Sequence, residues 1–260
     1  MSLNSKKIKT LMGVLPSDLQ VLVYKTIDST NTEAKKLGDN HTYKRAVIIA
    51  EEQTAGRGRL GRSFTSKGGK GLYLSILLGE EVPADFATSL TTYMAVIAAR
   101  VIDSLTGLKT EIKWVNDLYV GGKKLAGILT EGKASDGAQT LSYAVVGIGI
   151  NLFKQKFPNE IKSIATTVED ECGKKIDINQ LAATISKAFF ENIRLVGTAE
   201  LADEYRSRSF LIGESVSVIK PTVTYTATVS AITDKCELVL TLDDGTAEIL
   251  STGEVSVRKR

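Results

Sequence analysis

The sequence contains few of the residues that most often bind metals or form covalent intermediates. Its 260 residues include one histidine, His41, and two cysteines, Cys172 and Cys236. Two cysteines this far apart match neither a zinc site nor a disulfide framework. Because His41 is the only histidine, the His-Arg-Asp catalytic loop of protein kinases is absent. These scarcities fit a reducing compartment, and we expect a cytoplasmic protein.

The chain also lacks a large excess of either charge and a long uninterrupted apolar run. It has 33 Lys and Arg against 30 Asp and Glu, a net charge of +3, and 6% aromatic residues. This balance disfavours a non-catalytic nucleic-acid-binding module built on basic and aromatic surfaces. The longest apolar stretch, residues 84–105, contains Asp85, Arg100 and Asp103. We therefore predict a buried helix there and no membrane association.

The most informative segment alternates glycine with arginine, in the order Gly56-Arg57-Gly58-Arg59-Leu60-Gly61-Arg62. Glycine lets a backbone turn tightly and approach a ligand closely. Arginine holds phosphate and carboxylate groups through paired, charge-assisted hydrogen bonds. The segment therefore predicts a loop that closes over an anion, although a solvated basic loop has a similar composition.

The same glycines also satisfy the spacing of a dinucleotide-binding fingerprint, which the flanking sequence disfavours. Such a site needs its first glycine directly after a strand and a helix immediately after the last one. Here five residues, 51–55, separate the strand-like run 46–50 from Gly56, and the segment 63–71 is too rich in glycine for a helix. A nucleotide-dependent oxidoreductase is therefore a weak alternative.

The hydrophobic pattern predicts an α+β protein with a central mixed or antiparallel sheet, because consecutive strands follow on short connections. Thr30 with Glu33 predicts a capping box, Gly38 a helix end, Asn179 a helix cap and Gly121-Gly122 a hairpin turn. The predicted helices are 28–38, 84–105, 179–196 and 198–208, and the predicted strands are 46–50, 72–78, 112–120, 124–131 and 141–148.

The character of the sequence changes after Arg208, where only short strand patterns follow. Asp243-Asp244-Gly245 is typical of a hairpin turn. The predicted strands are 215–220, 224–232, 236–242, 245–250 and 254–258. We therefore predict a main domain at 1–208 and a small β-barrel or sandwich at 209–260.

Charged residues interrupt the apolar pattern between the predicted strands. A strand continued through Lys113 and Asp117 carries both side chains on one face, and the hairpin returns Lys124 close to Asp117. Two lysines and a carboxylate near the arginine loop predict an anion site that has room for Mg²⁺, which binds carboxylate and phosphate oxygens. Taken singly, each residue also fits a surface ion pair. Trp114 is expected in the core.

These segments, taken together and in this order, resemble the biotin protein ligases. The resemblance spans about residues 20–155 and extends to the closing strand, where 253–258 is similar. The segments that carry it are Asp28-Ser29-Thr30-Asn31, Gly56-Arg57-Gly58-Arg59-Leu60-Gly61-Arg62, Lys113-Trp114-Val115-Asn116-Asp117, Lys124-Leu125-Ala126-Gly127-Ile128-Leu129-Thr130-Glu131 and Gly147-Ile148-Gly149-Ile150-Asn151.

The resemblance implies a fold like that of class II synthetases and lipoate ligases, with an SH3-like C-terminal barrel. It implies a reaction in which biotin and Mg-ATP give biotinyl-5′-adenylate, followed by transfer of biotin to a lysine of a biotin carboxyl carrier protein. The substrates would be ATP and biotin, and the metal Mg²⁺. Dimerisation of many family members makes a homodimer the expected assembly.

The resemblance also implies roles for individual residues. Lys124, Arg59 and Lys113 would be catalytic, and Asp117 would hold Mg²⁺. The residues matching the biotin site are Ser29, Thr30, Gln53, Gly56, Arg57 and Gly127. The residues matching the ATP and adenylate site are Arg57, Arg59, Arg62, Phe64, Asn116, Asn151 and Arg258.

The chain departs from the family pattern at three places. Val115 stands where proline is frequent, and Phe64 stands where many members have tryptophan, which offers a larger surface for stacking on adenine. The segment before Gln20 is short for the DNA-binding domain of regulatory members, so we expect no operator binding. A lipoate or octanoate ligase or transferase of the same fold is the nearest alternative, although these enzymes lack the Gly/Arg loop and the C-terminal barrel.

Overall fold

Two strongly apolar runs form the centre of the main sheet in a computed structural model of the chain. The structure describes residues 2–14, 16–61, 68–135, 139–220, 223–251 and 256–259, with the side chains of Leu60 and 256–259 outside the description. Residues 46–50 and 72–77 have almost no exposed surface, as expected for strands covered on both faces.

The main sheet is mixed, as predicted. Its strand order is β1-β2-β3-β8-β7-β6-β5, and β4 pairs with β8. Among the described pairs of strands in this sheet, only β1 and β2 are parallel. The strands are β1 Leu19–Ile27, β2 Arg45–Gln53, β3 Gly71–Leu78, β4 Val82–Pro83, β5 Glu111–Lys113, β6 Asp117–Val120, β7 Lys123–Ala134 and β8 Thr140–Asn151.

The helices divide between the two faces of this sheet. The long helix α3 packs on β7 and β8, and α5 and α1 extend this layer across β3 and β1. The short helix α2 packs on the opposite face against β2, β3 and β8. The helices are α1 Ser5–Met12, α2 Thr30–Asp39, α3 Ala84–Thr106, α4 Val168–Cys172, α5 Ile178–Glu191 and α6 Ala199–Arg208. Within the described ranges, no helix is long and apolar enough to cross a bilayer.

The α2 face of the sheet stays partly open because α2 has only ten residues. The strand register places Ile48, Ser75 and Gly147 in one row across this face, and the next row contains Tyr73 and Gly149. Gly149 and its neighbour on β7, Gly127, are only partly buried. A concave surface is thus left beside α2, while the opposite face is covered by helices.

The predicted single strand 112–120 is wrong, because the chain reverses within it. β5 ends at Lys113 and β6 begins at Asp117, and the two strands pair antiparallel with Lys113 opposite Asp117. The turn carries no glycine or proline, and Asn116 by itself is only a weak turn signal. Trp114 and Val115 in this turn are buried by contacts with other parts of the chain. Directly opposed residues share a face, so Lys113 and Asp117 lie on one side of the sheet by a different route from the one expected.

The predicted capping box of α2 is also wrong. Ser29 is the N-cap, and its side chain makes no capping hydrogen bond. The Thr30 hydroxyl instead contacts Gln53 and Ser75, and the Glu33 carboxylate accepts a hydrogen bond from Tyr24. Both side chains that would form the capping box therefore make hydrogen bonds to residues outside the helix instead.

Two further helix signals have tertiary explanations. Gly38 lies inside α2 rather than after it, and a Cβ there would lie 2.7 Å from the ring of Tyr143. α5 begins after Asp177, whose carboxylate accepts from the Asn179 amide. Asn179 instead binds the N-terminal segment, accepting from the Asn4 amide and donating to the Ser2 carbonyl. Helix α1 and strand β1 had no counterpart in the sequence prediction.

The C-terminal residues form a second sheet of five antiparallel strands in the order β12-β11-β10-β9-β13. They are β9 Ser215–Ile219, β10 Thr224–Ile232, β11 Leu238–Leu242, β12 Ala247–Leu250 and β13 Ser256–Lys259. The predicted hairpin turn before β12 is confirmed, with Gly245 at a φ of 84°. In the described residues β12 and β13 are the two end strands and do not pair with each other, so the predicted barrel is not closed there.

Trp114 is buried, as predicted, and its indole N–H donates to the Cys236 carbonyl of this unit at 2.9 Å.

We expect the Gly38→Ala variant to lower the free energy of unfolding by about 1–3 kcal/mol, because the added methyl overlaps the Tyr143 ring. Lys36→Ala, on the exposed side of the same helix, is expected to change it by no more than about 0.5 kcal/mol. Urea unfolding followed by circular dichroism measures both. Equal stability of the Gly38 variant and the parent would contradict the packing argument.

Candidate active site

A polar pocket opens where α2 begins. The parallel pairing of β1 and β2 ends with Ile27 opposite Gln53, and the Ala55 amide then donates to the Asp28 carbonyl at 2.9 Å. The segments that follow the two strands therefore run side by side. The cavity has a volume of about 30 Å³, well below that of a typical small-molecule site, so it fits one small polar group rather than a whole ligand. Its lining residues are Ser29, Thr30, Asn31, Gln53, Arg57, Leu129, Gly147, Ile148 and Gly149.

Buried hydrogen bonds fix the wall of this pocket. The Gln53 side-chain carbonyl accepts from the Thr30 amide at 2.8 Å and from the Thr30 hydroxyl at 3.1 Å. The Ser75 hydroxyl lies 2.7 Å from the Thr30 hydroxyl and donates to Asn31 Oδ1 at 2.6 Å. Ser29, Thr30, Asn31 and Ser75 are all buried. The pocket thus presents hydroxyl and amide groups held in place before any ligand arrives.

Gly147 is needed for this arrangement. A Cβ at this position would lie 2.0 Å from Asn31 Oδ1 and 3.2 Å from Ser75 Oγ. Real Cβ atoms do not approach an oxygen so closely, so the start of α2 can lie on β8 only if this residue has no side chain.

Glu131 connects the pocket to the Gly/Arg loop. Its carboxylate accepts from Asn31 Nδ2 at 3.0 Å and from Lys35 Nζ at 2.9 Å, and lies 3.3 Å from the Arg57 guanidinium. Burial raises the pKa of Glu131, but the hydrogen bonds from Lys35 and Asn31 and the charges of Lys35 and Arg57 outweigh burial and lower it. Glu131 is therefore a carboxylate at neutral pH, and it anchors Arg57 beside the pocket.

A second polar cluster lies on the same face at the β5–β6–β7 edge. Lys124 Nζ is 2.7 Å from Asp117 Oδ1, and both side chains are partly buried. Lys113 stands opposite Asp117 and lies over the ring of Tyr119 at 5.7 Å. Burial, followed by the Asp117 charge, raises the pKa of Tyr119 to about 12, so the phenol is neutral. The cluster has two ammonium groups and one carboxylate.

The Gly/Arg loop reaches this cluster through Arg59. Its guanidinium donates to Asn116 Oδ1 at 3.2 Å. Asn116 also donates from Nδ2 to the Ile128 carbonyl at 2.8 Å, and the Ile128 amide returns a hydrogen bond to the Asn116 carbonyl at 2.9 Å. The 114–116 turn is therefore fixed to β7, and Arg59 is placed beside it.

Glycine residues join the pocket to the cationic cluster. Gly127 pairs with Asp117 on one side and with Gly149 on the other, and Gly149 lines the pocket. A Cβ on Gly127 would lie 3.3 Å from Lys124 Nζ. One ligand can therefore place a neutral polar group in the pocket and an anionic group beside the lysines, with no side chain between them.

The structure brings most of the predicted residues to this face. Ser29, Thr30, Gln53 and Arg57 line the pocket, and Gly56 immediately precedes Arg57. Lys113, Asn116, Asp117, Lys124 and Gly127 form or border the cationic cluster. Asn151 is buried on β8, two residues beyond Gly149. Arg62 and Phe64 lie outside the described residues, and only the backbone of Arg258 is described, in β13 opposite Ser217.

The comparisons with known proteins agree with this geometry. Residues 23–151 match the biotin/lipoate A/B protein ligase family, and residues 211–258 match the biotin protein ligase C-terminal domain. The "Bifunctional ligase/repressor BirA" of Escherichia coli strain K12 is 32% identical over 98% of this chain and 78% of its own length. The chain belongs to the biotin protein ligase family.

A solved family structure has the same fold. The biotin protein ligase from Aquifex aeolicus, described as a complex with biotin and ATP, superposes with a TM-score of 0.77 at 28% identity, covering 93% of this chain and 99% of that one. The relative named "Bifunctional ligase/repressor BirA" from Bacillus subtilis strain 168 is 38% identical over 61% of this chain. The chain spans about half the length of such Bacillus relatives, 49% in this case.

The site of this ligase-family member includes residues that the sequence prediction did not select. Asn31, Ser75, Leu129 and Glu131 form or line the pocket, and Lys35 holds Glu131. Asn31 and Glu131 lie within the family-like segments and could have been chosen on that ground. Ser75 carries a weaker signal, since it is the one small polar residue in the run 72–78, which otherwise contains leucine, isoleucine and one tyrosine, and it is fully buried.

We expect Glu131→Gln to lower the free energy of unfolding by about 1–3 kcal/mol at pH 7, because two cations lose their carboxylate. The folded-state pKa of Glu131 is depressed, so its contribution is present above the unfolded value of about 4.3 and is lost as the pH falls through the folded value. The stability difference from the parent should therefore shrink below pH 4.3.

Urea unfolding between pH 3 and pH 8 measures this difference. The control is Glu160→Gln, at an exposed position, for which the difference from the parent should stay small throughout. A Glu131 difference that is constant with pH would contradict the assigned ion pairs.

Proposed function

We propose that this chain is an ATP-dependent biotin protein ligase. It joins biotin to ATP as biotinyl-5′-adenylate, releases pyrophosphate, and transfers biotin to a lysine of a biotin carboxyl carrier protein. This proposal depends on one observation: the sheet surface between the polar pocket and the lysines Lys113 and Lys124 is formed by Gly127 and Gly149, which have no side chains. The similar Aquifex aeolicus structure, described with biotin and ATP, supports it.

The pocket suits the uncharged ureido ring of biotin. That ring offers one carbonyl acceptor and two N–H donors, which need several fixed partners in a partly buried site. Ser29, Thr30 and Gln53 supply hydroxyl and amide groups there, and Gly56, Arg57 and Gly127 border the course of the rest of the ligand. Leu129 adds an apolar wall for its hydrocarbon part.

The cationic cluster suits adenylation. A carboxylate must approach the α-phosphate against charge repulsion, and negative charge grows on the phosphate in the transition state. Lys124 would contact the carboxylate and phosphate oxygens, while Lys113 and Arg59 would stabilise the phosphates. The ion pair with Asp117 holds Lys124 Nζ beside Gly127, at the point where carboxylate and phosphate would meet.

Asp117 fits a role in holding Mg²⁺. Its Oδ1 atom is buried and faces Lys124, and one carboxylate with phosphate oxygens and water is an ordinary Mg²⁺ environment. Within the described ranges no cluster of three His, Cys, Asp or Glu residues exists, so ATP would supply most of the ligands. When bound, the ion neutralises phosphate charge.

The remaining nucleotide contacts are assigned from position. Asn151 lies two residues beyond Gly149 on β8, and Asn116 lies in the β5–β6 turn next to Arg59; we assign the adenine to Asn151 and the phosphates to Asn116. The arginine loop would close over the adenylate and exclude water, which protects a hydrolysable intermediate. This part of the proposal includes Arg57, Arg59, Arg62, Phe64 and Arg258.

The same proposal covers the organisation of the chain and its partners. The catalytic domain would comprise 1–208, and an SH3-like barrel would comprise 209–260. The acceptor would be a biotin carboxyl carrier protein, the assembly a homodimer and the location the cytoplasm. The expected absence of operator and membrane binding stays a prediction.

The direct test is incubation of the purified chain with an organic acid, Mg²⁺ and ATP labelled in the α-phosphate. We expect biotin to give an acyl-adenylate and, after an apo carrier domain is added, a biotinylated carrier detected by mass spectrometry. Lipoate and octanoate are the matched acids, because the family model also covers lipoate ligases. Preferential activation of either one would overturn the assignment of biotin.

The role of Lys124 can be tested against its neighbour. We expect Lys124→Ala to slow adenylate formation by about 100-fold or more, because a positive charge at the reacting groups is lost. Lys123→Ala, at the adjacent exposed position, should leave the rate close to that of the parent. Quenched-flow measurement of pyrophosphate release gives the rates, and circular dichroism checks folding. A near-normal rate in the Lys124 variant would place the catalytic charge elsewhere.

A further inference from the structure

The hairpin that carries Lys113, Asn116 and Asp117 is a weak structural element. β5 has three residues and β6 has four, and β5 is the last strand on the sheet path. Hairpins of this length are marginal without outside support. Proteins hold functional groups within a fraction of an ångström only when neighbouring groups lock them in place.

Helix α6 supplies that support at the turn. The Tyr205 hydroxyl donates to the Val115 carbonyl at 3.0 Å, and Tyr205 is fully buried. Val115 lies between Trp114 and Asn116, and Asn116 accepts from Arg59. The Tyr205 hydroxyl is thus one residue away from a side chain of the proposed site, yet it does not line the pocket.

The same helix also holds the other end of the hairpin. Arg208 donates to the Thr110 carbonyl at 3.1 Å, directly before β5, and pairs with Asp103 of α3 at 2.7 Å. Ser209, which follows α6, makes a β-bridge to Ile112. Both ends of the hairpin are therefore attached to one helix.

The C-terminal sheet makes a second contact with the turn. The Trp114 indole donates to the Cys236 carbonyl, and Arg206 of α6 donates to the Ile232 carbonyl at 3.2 Å and to Asp234 at 2.9 Å. The turn, α6 and the C-terminal sheet thus share one set of hydrogen bonds, which gives the C-terminal unit a physical link to the site.

We propose that Tyr205 is a positioning residue for the nucleotide half of the site. Through the Val115 carbonyl it sets the place of the 114–116 turn, and therefore of Asn116, Arg59, Asp117 and Lys113. The wall of the biotin pocket is held separately by Gln53, Thr30 and Ser75. Loss of the Tyr205 hydroxyl should therefore impair use of ATP and spare binding of biotin. The expected effect on ATP use rests on the proposed function.

The experiment compares Tyr205→Phe with Tyr93→Phe. Tyr93 is a matched control because it is also fully buried and its hydroxyl donates to a backbone carbonyl, that of Phe189, at 2.5 Å within the helical layer. We expect Tyr205→Phe to lower kcat/KM for ATP in adenylate formation by about 10- to 100-fold. Its Kd for biotin should change by no more than about twofold, because substitutions at distant sites without shared contacts act nearly independently.

The Tyr93 variant should show no such split between ATP and biotin. The positioning role is overturned if both tyrosine variants behave alike, or if Tyr205→Phe weakens biotin binding as much as it impairs ATP use.

A second measurement does not depend on the reaction. Hydrogen exchange followed by mass spectrometry should show faster exchange in peptides covering 111–120 for Tyr205→Phe than for Tyr93→Phe. Unchanged exchange in this segment would overturn the inference even if the chain is a ligase. If the parent forms no acyl-adenylate, the proposed function fails, while the exchange data still decide whether Tyr205 holds the hairpin.

A milder pair guards against loss of folding in the tyrosine variant. Arg208→Gln removes the contact with Thr110, whereas Arg100→Gln removes an arginine that binds the same acid, Glu204, at 2.8 Å. We expect Arg208→Gln, and not Arg100→Gln, to speed exchange at 111–120 and to impair ATP use. Identical behaviour of the two arginine variants would contradict a specific role for the contact between Arg208 and Thr110.

Discussion

The site depends on a stretch of sheet that carries no side chains. Gly127, Gly147 and Gly149 lie on one face of adjacent strands, and α2 covers only part of that face. At Gly147 the bare backbone lets Asn31 approach closely, and this contact holds the start of α2 in place. At Gly127 and Gly149 it leaves a path between the polar pocket and the lysines. A side chain at Gly127 or Gly149 would stand in this path, whereas one at Gly147 would overlap Asn31.

The charges around this path are arranged in pairs rather than left alone. Lys124 is held by Asp117, and Arg57 is held by Glu131. Each pair fixes a cation at the edge of the glycine path and lowers the free-energy cost of keeping that cation in a partly buried place. An incoming carboxylate or phosphate can then interact with cations whose positions are already set, which is the arrangement that favours electrostatic stabilisation of a transition state.

The two halves of the site are supported by different parts of the molecule. The pocket wall is built from α2, β2 and β3, near the middle of the sheet, where burial is nearly complete. The cationic half lies on the short β5–β6 hairpin, which is hydrogen-bonded to α6 and to the C-terminal sheet. Under the proposed positioning role of Tyr205, contacts outside the main sheet would act on the cationic half of the site without disturbing the pocket.

The sequence by itself determined the apolar strands, the long helix predicted at 84–105, the change to a second β unit after Arg208 and the residue types of the site. These features follow from local patterns, such as continuous apolar runs and turn residues, and from motifs in a fixed order. Patterns of this kind led to Lys113, Asp117 and Lys124 before their positions were known. They could not show that the chain reverses between Lys113 and Asp117, because Asn116 alone, with no glycine or proline beside it, is a weak turn signal.

Only the tertiary structure decided which polar residues contact one another. Thr30 and Asn179 looked like helix caps, but each instead binds a segment distant in sequence. Glu131 and Ser75 became part of the pocket because β3, β7 and β8 lie side by side, and Tyr205 reached the site from a helix some 90 residues beyond the turn it contacts. Such contacts depend on strand order and register, which local propensity does not encode, because one residue can meet several partners and the packing of the whole chain selects among them.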